Sequence, residues 1–164
     1  MENNKPKSSE KKTYERKKMG INDYIFFLLS RRDYSYKEIY DKLIKREENP
    51  KEIIEKLNWM KENNYQSDER MAENYYKSRK NKKGSRVIAQ ELKMKGIKED
   101  VIKSIIREND NEEDNFQSAL NLVIRFKDLD LNDKKLQDKV FRKIVSRGFS
   151  FDIAKKVIKE LKNK

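Results

Sequence analysis

The sequence has no cysteine and no histidine, only four glycines and two prolines, and no long apolar run. Without cysteine there is no disulfide framework and no thiolate nucleophile or ligand. Without histidine the commonest general base and metal ligand is missing too. No GxxxxGK(S/T) or GxGxxG loop is present to cradle phosphates. Carboxylates do cluster, at Asp128 and Asp130 and at Glu112, Glu113 and Asp114. Their positions suit helix capping and solvation better than paired acid–base work. The expectation is therefore a non-enzyme with no cofactor and no metal. No stretch reaches the ~20 apolar residues that span a bilayer, and Met1–Met19 is polar and Lys-rich with no secretory core. A cytoplasmic protein without membrane association is expected.

What is abundant is charge. Of 164 residues, 43% are charged and 35% hydrophobic, and 41 Lys and Arg against 29 Asp and Glu leave a net charge of +12. The surplus is distributed, with +4 over residues 1–22, +1 over 23–61, +3 over 62–110 and +4 over 111–164. Such a balance favours polyanionic partners, either nucleic acid or a nucleoprotein with an acidic surface, against a background of simple solubility. The apolar content is low for one deep core but periodic, which argues against disorder and for a thin or repetitive architecture.

The periodicity is helical throughout. Ser35 and Glu38 form an S-x-x-E capping box ahead of Ile39 and Leu43. Asn49 before Pro50 opens a helix carrying Ile53, Ile54, Leu57 and Met60. Ser67 opens the next, with Met71, Ala72, Tyr75 and Tyr76 on its inner face, and Gly84-Ser85 breaks and restarts the chain before Ile88 and Leu92. Gly96 reads as a left-handed cap before Val101, Ile102, Ile105 and Ile106. The pattern then repeats with Phe116, Ala119, Leu120 and Val123, a polar connector over 127–133, Val140 and Ile144, Gly148, and a Ser150-capped helix with Ile153, Val157 and Leu161. The pairs Ile39–Leu43, Ile88–Leu92 and Val140–Ile144 share a four-residue spacing, and Leu43, Leu92 and Ile144 are 49 and 52 residues apart. The fold expected is all-α: three tandem three-helix units, over 23–64, 65–110 and 111–164, in an elongated, curved array behind a disordered basic arm over 1–22. Stacking helps each small unit bury its apolar face.

Four segments carry a family resemblance: Leu28-Leu29-Ser30-Arg31-Arg32-Asp33-Tyr34-Ser35-Tyr36-Lys37-Glu38-Ile39, Ser67-Asp68-Glu69-Arg70-Met71-Ala72-Glu73, Glu91-Leu92-Lys93-Met94-Lys95-Gly96-Ile97, and Arg147-Gly148-Phe149-Ser150-Phe151-Asp152-Ile153. In order and spacing they resemble the RecX family over roughly residues 23–162. The departures are Met71 where phenylalanine is usual, Gly84-Ser85 in place of a G-(aromatic)-G turn, and Glu47-Glu48-Asn49-Pro50 in place of a glycine turn. The resemblance implies a monomeric regulator that lies along the groove of a RecA–single-stranded DNA filament. It further implies inhibition of that filament's ATPase, strand-exchange and repressor-cleavage (coprotease) activities, with consequences for DNA repair, homologous recombination and the SOS response.

Candidate contact residues fall into three basic groups. The densest spans Lys77, Arg79, Lys80, Lys82, Lys83 and Arg86, six cations with no acid among them. They meet phosphates or acidic protein, or else complement a helix C-terminus while the adjacent tyrosines pack inward. Arg31 and Arg32 offer bidentate contacts to carboxylates or phosphates, or pair internally with Asp33 or Asp41. Arg142, Lys143 and Arg147 read as a solvated face or a further contact. Trp59, the single tryptophan, reads as an inter-unit packing residue or a stacking platform. The competing functional reading is a basic helical module that grips single- or double-stranded DNA directly. The interspersed acids blunt a continuous phosphate track and weigh against it. A helix-turn-helix transcription regulator ranks below both, because no helix rich in Arg, Asn or Gln stands out.

Overall fold

A computed structural model describes residues 19–163. Among them there are nine α-helices and no strand: α1 (Ile21–Arg31), α2 (Tyr36–Ile44), α3 (Pro50–Glu62), α4 (Asp68–Arg79), α5 (Ser85–Met94), α6 (Glu99–Asn109), α7 (Glu112–Val123), α8 (Lys134–Ser146) and α9 (Phe151–Lys162), with a 3-10 turn at Ile124–Phe126.

The caps are local chemistry. Ser35 accepts from the Glu38 amide while the Glu38 carboxylate accepts from the Ser35 amide, so two orphan donors of α2 are satisfied at once. Asn49 caps α3 with Pro50 in its first turn, Ser67 caps α4 and Ser150 caps α9. Gly96 (φ 82°) and Gly148 (φ 93°) take the left-handed conformation that only glycine adopts without strain. Asn111 and Asp133 cap α7 and α8 in the same way.

Every helix pair in substantial contact lies within one of three groups, α1–α3, α4–α6 or α7–α9, and each group encloses its own apolar cluster. The first cluster centres on Ile25, Ile39, Leu43, Ile53 and Leu57, the second on Met71, Tyr76, Ile88 and Leu92, the third on Val140, Ile144, Ala154 and Val157. The pairs Ile39–Leu43, Ile88–Leu92 and Val140–Ile144 are all fully buried, because four-residue spacing puts both members on one helix face.

Three sequence expectations need correction. The proposed basic arm lies outside the described residues over 1–18, and its last two residues are helical: Ile21 begins α1 and is buried with Ile25 and Leu28. Ile54 is exposed rather than part of the α3 stripe. The α6 stripe stands, with Ile102 and Ile105 buried and Val101 and Ile106 packed half-buried against the same core. The polar connector after α7 contributes Leu131 to the third core, beside Phe126 at its start.

One junction joins the groups twice. The N-terminus of α2 sits on the α5–α6 turn, with the buried Ser35 hydroxyl donating to the Lys95 carbonyl (2.6 Å) and the Lys37 side chain against Gly96. The N-terminus of α5 sits in the same way on the α8–α9 turn, with the Gly84 amide donating to the Arg147 carbonyl (2.9 Å) and Val87 against Gly148. Repetition of one junction generates a linear array rather than a shared core.

Candidate binding surface

At the first junction Asp33 pairs with Arg70 (3.4 Å) and accepts from Asn74 (2.7 Å), and Glu38 receives Lys95 (2.7 Å) and Arg32 (3.3 Å). Burial pushes the Glu38 carboxyl up, yet it lies below its ordinary value. The hydrogen bonds from Lys95 and the Ser35 amide, and the charges of Lys95 and Arg32, outweigh the burial. The internal pairing foreseen for the first arginines thus exists for Arg32, but with Glu38 rather than Asp33 or Asp41. Asp41 is taken by Lys37 (2.6 Å). Arg32 also lies over the Tyr34 ring (3.6 Å), and Arg31 over Phe27 (5.4 Å).

Arg32 and Arg79 line one cleft of about 540 Å³ between the first and second groups, together with Lys95, Tyr75 and Asp33. The Tyr75 ring has Arg79 (5.3 Å) and Lys95 (5.1 Å) against it, and its hydroxyl donates to Glu91 (3.1 Å). Burial, with Glu91 beside it, raises the Tyr75 phenol above its ordinary value. Glu91 is also paired with Lys83.

The densest basic stretch is therefore largely answered from within. Lys77 pairs with Glu73 (2.5 Å), Lys80 with Asp114 (3.0 Å) and Lys83 with Glu91, while Arg86 donates to the Val145 carbonyl (2.7 Å). Arg79 rests on Tyr75, which leaves Lys82 as the exposed cation of this loop with no side-chain partner among the described residues. Glu73 is four residues from Lys77, but Glu91 and Asp114 lie 8 and 34 residues from their lysines, beyond what local sequence reveals.

The third group behaves differently. Along α8 from Lys134 to Arg147 there are six cations and one acid, Asp138. Lys143 lies over the Phe126 ring (5.8 Å) from α8, and Arg125, in the 3-10 turn beside Phe126, over the same ring (5.0 Å). Partial burial and then repulsion from Arg125, Arg147 and Lys139 lower the Lys143 ammonium below its ordinary value. Arg142 donates to the Asp138 carbonyl (3.3 Å). Arg125 and Lys139 escaped the sequence reading. Lys139 was detectable from its four-residue spacing to Lys143, but Arg125 arrives only through folding.

Trp59 is 47% exposed and packs within its own group. It stacks on Tyr65 (5.6 Å), which meets Phe26 edge-on (5.0 Å). The inter-unit role expected for it is not what the structure shows. Among the described residues no cluster of three His, Cys, Asp or Glu side chains is placed to hold a metal, and no helix is long and apolar enough to cross a membrane.

Residues 67–104 match the family model described as RecX, second three-helix domain. The chain is 35% identical over 131 residues to the regulatory protein RecX of Actinobacillus pleuropneumoniae serotype 5b, covering 79% of this chain and 85% of that one. It is 36% identical over 136 residues to the RecX of Haemophilus influenzae strain 86-028NP, covering 79% and 87%. The crystal structure of RecX from Lactobacillus salivarius superposes with a TM-score of 0.74 at 23% identity, over 88% of this chain and 96% of the other. Capped three-helix groups, a repeated junction and this degree of likeness place the chain in the RecX family of regulatory proteins.

Proposed function

We propose that this protein is a negative regulator of RecA. It lies as a cytoplasmic monomer along the groove of the RecA–single-stranded DNA filament and lowers its ATPase, strand-exchange and coprotease activities. It acts by binding, with no hydrolytic chemistry of its own. The observation that carries this reading is the repeated junction. A filament is a periodic target, and three helical units, over 23–64, 65–110 and 111–164, set in line by one recurring contact, present related surfaces to successive subunits. Many modest contacts made together hold far more tightly than any one alone. The cations proposed for contact are Arg31, Arg32, Lys77, Arg79, Lys80, Lys82, Lys83, Arg86, Arg142, Lys143 and Arg147. A filament bridged in this way resists the subunit rearrangements that turnover and growth require.

The test compares affinity for the RecA–ATP–single-stranded DNA assembly with affinity for naked DNA at one salt concentration, and follows ATPase with the protein well below one copy per recombinase subunit. Tighter binding to the filament and substoichiometric inhibition are expected. Equal affinity for coated and naked DNA, with inhibition only by competition for bare DNA, would refute it. The informative variant is Arg79→Glu with Lys82→Glu. These two lack the carboxylate partners that hold Lys77, Lys80 and Lys83, so reversing them leaves the internal ion pairs intact.

A further inference from the structure

Four-residue neighbours on these helices are mostly of opposite sign, with single like-charged pairs at Glu69–Glu73, Lys103–Arg107 and Lys155–Lys159, and one helix carries an unbroken row of one sign. On α2, α4 and α6 opposite charges four apart form ion pairs: Lys37–Asp41, Glu73–Lys77 and Glu99–Lys103. On α8 the positions four apart are Lys139, Lys143 and Arg147, all cationic. Like charges at this spacing destabilise a helix by a few tenths of a kcal/mol each. Arg125 then adds a fourth cation, brought to the row by the Phe126 ring that it shares with Lys143. None of the four has an ion-pair partner among the described residues.

Helix capping does not account for the row. Cations at a C-terminus stabilise the unsatisfied carbonyls there, but the Arg147 carbonyl already accepts from the Gly84 amide and the Val145 carbonyl from Arg86. Nor is the acid on the same helix turned to the row as an ion-pair partner among the described residues. The one carboxylate of α8, Asp138, lines a cleft with Phe141, Lys155 and Ile158 towards α9. Partial burial first, and then repulsion from Arg125, Arg147 and Lys139, depress the Lys143 ammonium.

We infer that Arg125, Lys139, Lys143 and Arg147 form a phosphate-backbone site through which the third group holds DNA, so that Lys143 and Arg147 meet the nucleic acid of the filament rather than its protein. At ~1.5 Å rise per residue the α8 row runs for about 12 Å with one sign of charge. A nucleic-acid strand offers a matching line of single-signed charge. Protein surfaces generally interleave both signs. Condensed counterions released from the strand supply the favourable free energy.

The test uses the full chain without recombinase, so its failure leaves the filament reading standing, and failure of the filament reading leaves it standing. A single-stranded oligonucleotide and a duplex of equal length are titrated from 50 to 200 mM salt, with the wild type, with Lys139→Gln/Lys143→Gln/Arg147→Gln, and with Lys77→Gln/Lys80→Gln/Lys83→Gln. The α8 variant is expected to flatten the log–log salt slope by about 2 on the single strand and about 2.7 on the duplex, three contacts at ~0.7 and ~0.9 each. Across that fourfold salt range the wild type then loses about 20-fold more single-strand affinity than the variant. The loop variant is expected to keep the wild-type slope. Arg125→Gln, off the helix, is expected to flatten the slope by about one contact, which a mere helix defect in α8 would not reproduce. The arm with the larger change identifies the strand form that is held. Unchanged slopes on both arms for the α8 and Arg125 variants would overturn the inference. So would an unchanged DNA affinity of the α8 variant at every salt concentration.

Discussion

Gly84→Ala tests the repeated junction, where an added methyl has no room. A Cβ at Gly84 would stand 2.3 Å from the Gly148 carbonyl oxygen, 2.4 Å from its carbon and 2.5 Å from the Phe149 nitrogen, all backbone atoms. Ordinary contact needs about 1 Å more. That retreat would stretch the 2.9 Å Gly84–Arg147 hydrogen bond beyond bonding range. Overpacking costs about 1–3 kcal/mol, and a buried amide left without its acceptor costs about 1–3 kcal/mol. A total of roughly 3 kcal/mol is expected, borne at the contact between the second and third groups rather than inside either core. Trp59, the only tryptophan, belongs to the first group and reports on it alone. Urea unfolding followed by circular dichroism and by Trp59 fluorescence therefore separates the two ends of the array. Dichroism is expected to show an early loss of helix in the variant, while the fluorescence transition moves less. A dichroism midpoint within about 0.5 kcal/mol of wild type, with no early phase, would refute the account of the junction.

Further predictions follow from the same contacts. Glu38 has its carboxyl held below the ordinary value of 4.5, so its stabilisation is present above that pH and is lost as pH falls through the lower folded value. Glu38→Gln should accordingly be less stable than wild type near neutrality, with the gap closing in acid; a gap independent of pH would contradict this. Exposed Trp59 should be quenched readily by acrylamide in the native protein, and quench-resistant, blue-shifted emission would place it in a core instead. Small-angle scattering should give a radius of gyration above the ~15 Å of a compact chain of this length, and a value at that limit would exclude the linear array.

Much of this fold is written in short-range chemistry. Ser35 with Glu38, Asn49 with Pro50, Ser67, Gly96, Gly148 and Ser150 act within four residues of themselves, so each helix boundary they set is visible in the sequence. The same holds for the four-residue apolar pairs, whose recurrence at 49 and 52 residues reveals the three units. Ile54 marks the limit of that reading. An apolar residue beside a stripe looks like part of it until helix phase turns it outward.

Charge is where the tertiary structure decided the outcome. In sequence, Lys77 to Arg86 is the most concentrated positive stretch and α8 an ordinary basic helix. Folding brings Glu91 and Asp114 to the first and leaves the second unanswered, with Arg125 added to it. The physical reason is range. A cap or an apolar stripe depends on neighbours in the chain, whereas the net charge at a surface depends on which distant side chains the junctions between units bring within a few ångströms.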